Sequence, residues 1–152
     1  MNPALARLVD ETGLLEAERL LLRMAFGLAC VERVKHLVED PRALGALAVL
    51  RAFVAGGADE AALHSAAQEV AHVATSHPGS NSVDGSAHAA VSATYAVANA
   101  VAGRALAASE YAAYATVYAY GCYAVNDPAS FEPEFAWQVE RLRDLALPGP
   151  AT

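Results

Sequence analysis

The sequence predicts an all-α fold: a compact helical bundle of about six main helices, two of them alanine-rich and central. Three observations carry that prediction. Hydrophobic residues make up 55% of the 152 positions, and the excess is largely alanine, which has the highest helix propensity and adds little to a strand surface. Apolar residues recur at helical spacing, with no period-two alternation. Capping and breaking residues punctuate the chain at helix-length intervals. Charged residues account for only 18%, far from the composition of a disordered segment. The length suits one domain, assigned to residues 1–147, with Pro148-Gly149-Pro150 opening a loose tail over 148–152.

Taken in order, Pro3 can start a short helical turn. Thr12 and Gly13 then precede a long periodic run over residues 14–39, in which Leu15, Leu22, Phe26, Ala29, Val34 and Leu37 recur near helical spacing. Asp40-Pro41 supplies an N-cap followed by proline at the first helical position, for a helix over 41–55 that stops at Gly56-Gly57. Asp59 caps the next, over 60–76, and the turn formers from His77 to Ser82 end it. Two segments, 84–102 and 105–125, follow on either side of Gly103, and apart from Arg104 at the turn their internal charge is Glu110. Neither offers the polar face of a surface helix, so both belong in the middle of a bundle. A transmembrane hairpin competes, but Ser86, His88, Ser92, Thr94 and Asn99 are polar and no lysine or arginine flanks set an orientation. A last amphipathic helix starts near Pro133 and carries Phe135, Trp137, Val139, Leu142 and Leu145.

The formal net charge is −7, which argues against a nucleic-acid ligand, because phosphate binding draws on clustered lysine and arginine. From Ala52 to Glu140 the one basic residue is Arg104, against nine acids. Such a surface steers a basic partner by long-range attraction, although acids also serve solubility alone. Cys30 and Cys122 lack the spacings of a zinc or redox motif and read as buried thiols. Charged residues from Arg7 onward interrupt the first apolar stretches, so the expectation is a cytoplasmic protein.

No catalytic residue, metal site or cofactor is assigned. Glu69 and His72 have the Glu-x-x-His spacing that di-iron bundles use, but no second copy exists, and His72 reads as a core histidine with a hydrogen-bond partner. His72, His77 and His88, with Asp84 and the nearby serines, have residue types suited to acid–base work, yet no nucleophile elbow or phosphate cradle accompanies them. The tyrosines say more. At about 100° per residue, Tyr111, Tyr114 and Tyr118 fall within an arc of about 60°, and Tyr120 and Tyr123 lie close to the opposite face. Either the helix is central and wrapped by neighbours, or one tyrosine face lines an interface, with a partner or with a second copy of the chain.

Three stretches resemble the all-helical immunity proteins of bacterial polymorphic toxin systems, the fifth immunity-domain class. They are Phe26-Gly-Leu-Ala-Cys-Val-Glu-Arg-Val34, the alanine-rich middle with His72, His88 and Tyr95, and Glu134-Phe-Ala-Trp-Gln-Val-Glu-Arg-Leu142. The resemblance runs from about Leu14 to Leu147 and departs at His77-Pro78-Gly79, where a turn-rich loop replaces an alanine run. It implies a stoichiometric inhibitor that covers a cognate toxin, itself expected to be basic. Glu32, Arg33, Trp137 and Arg141 carry the resemblance, and an ion pair under an aromatic cap would account for them equally well. On that hypothesis, charge and periodicity pick Glu69, Asp84, Glu110, Asp127 and Glu132 as contacts and Tyr111, Tyr114 and Tyr118 as anchors. The rival expectation is a small helical enzyme or ligand-binding protein using the His72, His77 and His88 region, which would require a concave pocket where histidines converge with an acid.

Overall fold

The computed structural model describes residues 2–76 and 86–147. It opens with a full helix where the sequence suggested a turn. Asn2 accepts the Leu5 N–H and Pro3 takes the first position of α1, Pro3–Thr12. Leu5, Leu8 and Val9 form its buried stripe. Gly13, at φ 65°, ends it: its N–H reaches the Asp10 carbonyl, the Leu14 N–H reaches Val9, and both Leu14 and Val9 are buried. That is a Schellman cap with its hydrophobic contact, and the left-handed backbone it needs favours glycine. Gly13 thus closes a helix, whereas the sequence reading placed it ahead of one.

The expected run over 14–39 is broken into pieces. A 3-10 turn, Ala17–Arg19, leads into α2, Leu20–Glu32, and a second 3-10 turn, Lys35–Leu37, follows. No proline or glycine marks the second break. Burial of Val34 and Val38, with Arg33 held by an acid far along the chain, overrides local helix propensity there.

The next two helices start where capping chemistry places them. Asp40 accepts the Arg42 N–H at the start of α3, Pro41–Val54, and Asp59 accepts the Ala62 N–H at the start of α4, Glu60–Thr75. The two alanine-rich helices are α5, Ser86–Val101, and α6, Ala105–Tyr120. They pack along each other, and α5 also meets α2, α3 and α4 while α6 also meets α2 and α7, Glu132–Ala146. Seven α-helices therefore stand among the described residues, with no strand.

Small side chains make this crowding feasible. A Cβ on Gly27 of α2 would lie 3.3 Å from the Ala100 Cβ of α5 and 3.4 Å from its Cα, so glycine there lets two helix backbones approach closely. Around that seam lie buried Phe26, Cys30, Val31, Val97 and Val101. Helix α6 ends at Gly121, and the chain continues in 3-10 turns, Cys122–Asn126 and Pro128–Phe131, not as helix to residue 125. At 16 residues each, α5 and α6 are about 24 Å long against a hydrocarbon core of about 30 Å. No helix among the described residues is long and apolar enough to cross a membrane.

Candidate functional site

Helix α5 is buried on most sides, but one stripe, continued just past its end by Ala102, is left partly open: His88, Val91, Tyr95, Ala98 and Asn99. Their spacing of three or four residues keeps them on one face. Helices α4 and α6 flank this stripe and do not close over it, which leaves a groove of about 820 Å³. Ala98, Asn99 and Ala102 floor it, His64, Gln68 and Ala71 come from α4, and Ala107 and Tyr111 come from α6. Tyr95 and Tyr111 stack at 5.2 Å between ring centroids, tilted by only 22°, so the groove carries a pre-formed aromatic ledge. Glu60 and Arg104 also line it.

The three predicted anchors on α6 have different surroundings. Tyr111 is 37% exposed and belongs to the groove. Tyr118 is half-buried and stacks on His88, at 5.1 Å. Tyr114 is half-buried and meets Phe131 edge to face at 5.2 Å, while Phe131 meets Phe135 at 5.6 Å. Tyr120 is 64% exposed and Tyr123 is 88% exposed. Tyr123 follows the helix end at Gly121, so a helical projection does not apply to it.

The predicted acidic contacts do not gather on one surface. Glu69 lines a hollow with Arg42 and Ser65 between α3 and α4. Glu110 lies beside Tyr114, Phe131 and Phe135 at a cavity of about 220 Å³. The Asp127 carboxylate accepts the Ala129 N–H as a helix cap, Glu132 is exposed in the first turn of α7, and Asp84 lies outside the described residues.

Glu32, Arg33, Trp137 and Arg141, by contrast, do meet: all four line one shallow hollow. Arg33 donates to both Glu134 carboxylate oxygens, at 2.7 and 3.0 Å, with its guanidinium carbon 4.5 Å from the Trp137 ring centroid. Glu134 is buried, and its hydrogen bond holds the Arg33 guanidinium above its ordinary pKa. This clasp ties the end of α2 to α7. Glu32 bridges Lys35 and Arg51, joining α2 to α3. Burial pushes its carboxyl up, but hydrogen bonds from Arg51 and Lys35 outweigh that and hold it below the usual range. Arg141 is exposed.

The histidine region takes a different shape from the one expected. His72 is exposed, because Leu63, Ala66, Val70, Val73 and Ala74 form the buried stripe of α4 and residue 72 lies about 200° round from 70. The core-histidine reading is therefore corrected. His77 lies outside the described residues, and the histidine lining the groove is His64, whose Nε2 is 3.3 Å from Gln68 Nε2. Among the described residues, no group of three His, Cys, Asp or Glu side chains could hold a metal ion. Cys30 is buried, as expected, and burial, then the Glu134 charge, push its thiol well above the ordinary range.

Several contributors had no signal in the sequence. Gln138 is buried, donates to the Ser109 carbonyl at 2.8 Å and accepts from Asn2 at 3.2 Å, so it joins α7 to α6 and α1. The Tyr95–Tyr111 ledge spans two helices, and no within-helix periodicity announces it. No family profile, no curated protein and no solved structure matches this chain.

Proposed function

We propose that this chain is an immunity-type protein that acts in the cytoplasm by binding and neutralising a cognate bacterial toxin, with the groove of α4, α5 and α6 as its contact surface. The groove carries this reading: an alanine-lined concavity with two stacked tyrosines among its lining residues. Alanine on the floor lets a partner's backbone come close, and tyrosines held by each other lose little freedom on binding, which favours association. The acids exposed between Asp59 and Glu140 supply long-range attraction for a basic partner, raising the encounter rate more than the affinity. The resemblance at residues 26–34 and 134–142 supplies the word immunity, and the groove supplies the mode of action.

The test is co-expression with the product of the adjacent gene. A stable complex and suppressed toxicity are expected, with Tyr111→Ala weakening the complex by about 2 kcal/mol, or about 30-fold. No complex and no protection would remove this reading for that neighbour. A small-molecule site is the second reading, favoured by one observation: the groove volume falls in the range of roughly 300–1,000 Å³ that such ligands use. A ligand retained through purification and released on unfolding would support it.

A further inference from the structure

We infer that the cavity beside the groove, bounded by Glu110, Tyr114, Phe131 and Phe135, takes a single arginine side chain of the partner. This deepens the toxin-binding reading and rests on it for the identity of the macromolecule that presents the arginine. The cavity encloses about 220 Å³, below the roughly 300–1,000 Å³ of a small-molecule site, so its natural occupant is one side chain. Three aromatic rings in a chain of contacts form its wall: Tyr114 edge to face on Phe131, and Phe131 against Phe135. Ala113, Val125 and Pro128 complete the apolar lining, and no basic residue among the described ones lines it.

Glu110 sets the chemistry. It is the one charged residue within the α6 range, is exposed, and has no hydrogen bond or ion pair among the described residues. It also lines the neighbouring hollow with Leu106 and Gln138. An apolar side chain entering the cavity would strip water from this carboxylate and return nothing. A phosphate or carboxylate would be repelled. A cation gains both the aromatic wall and the carboxylate, and guanidinium suits them better than ammonium because it is planar, stacks on aromatic rings and forks onto a carboxylate. Glu110 and Tyr111 are consecutive on α6 and point about 100° apart round the helix, so the cavity and the groove open on neighbouring faces of one helix, within reach of one protein partner.

The probe is Nα-acetyl-arginine methylamide, titrated into the intact protein and followed through the Val125 and Ala113 methyl resonances, with Nα-acetyl-citrulline methylamide as the neutral control. A saturable shift of those methyls with millimolar affinity is expected, weakened about fivefold or more in Glu110→Gln. That variant changes an exposed side chain, and its unchanged helical circular dichroism would confirm that it is folded. The inference is overturned if those methyls show no saturable shift, if citrulline shifts them equally, or if Glu110→Gln binds the arginine probe as the parent does. No toxin is needed in this titration, so its result stands apart from the co-expression experiment.

Discussion

Replacing Arg33 by alanine should cost more than an exposed ion pair is worth, because it strands a carboxylate that water barely reaches. The Glu134 side chain is 6% exposed and that of Arg33 is 37% exposed. Exposed pairs contribute about 0.2–1 kcal/mol, and breaking a fully buried one costs about 3–5 kcal/mol. The partial exposure of Arg33 admits solvent screening, which moves the expectation for Arg33→Ala down to about 2 kcal/mol, including the lost stacking on Trp137. For a chain of this size that is a fall in Tm of about 4–8 °C. The assay is urea unfolding of Arg33→Ala, Glu134→Ala and the double variant, followed by far-UV circular dichroism and by the emission of Trp137, the one tryptophan. The double-mutant cycle should return a coupling of about 1–2 kcal/mol. A coupling below about 0.5 kcal/mol would show that the clasp behaves as an ordinary surface pair.

Three further outcomes follow from the packing. Gly27→Val should push α2 and α5 apart and destabilise by about 1–3 kcal/mol, while Gly27→Ala trades a tight contact against better helix propensity and stays within about 1 kcal/mol; equal melting temperatures for the two would refute the close-approach argument. Above pH ~8.5 an unfolded Cys30 loses its proton while the folded thiol keeps it, so stability should drop by about 1.4 kcal/mol per pH unit more than in Cys30→Ala; parallel slopes in urea titrations at pH ~9 and ~10 would exclude it. Gln138→Ala should cost about 2–3 kcal/mol through the void and the loss of the contacts to Ser109 and Asn2, measured by chemical unfolding, and a change below about 0.5 kcal/mol would demote this link between three helices.

The parts of the molecule that could be read from residue order are those whose partners lie within a few positions. Asp40 and Asp59 cap the N–H groups of Arg42 and Ala62, and the starts of α3 and α4 stand where such capping puts them. Alanine content and helical spacing likewise suffice for the all-α class and for the central place of α5 and α6, because helix propensity and amphipathicity are local properties. What folding in three dimensions decided has distant partners or depends on how each helix is rotated. Arg33 and Glu134 are 101 positions apart, and that pairing accompanies a break in the run after α2 that no breaker residue marks. His72 faces outward because neighbouring helices claimed the Val70 and Val73 side of α4. Tyr111 found Tyr95, and Glu69 and Glu110 were sent to different surfaces, since the relative setting of packed helices comes from interlocking side chains and not from any one segment's pattern.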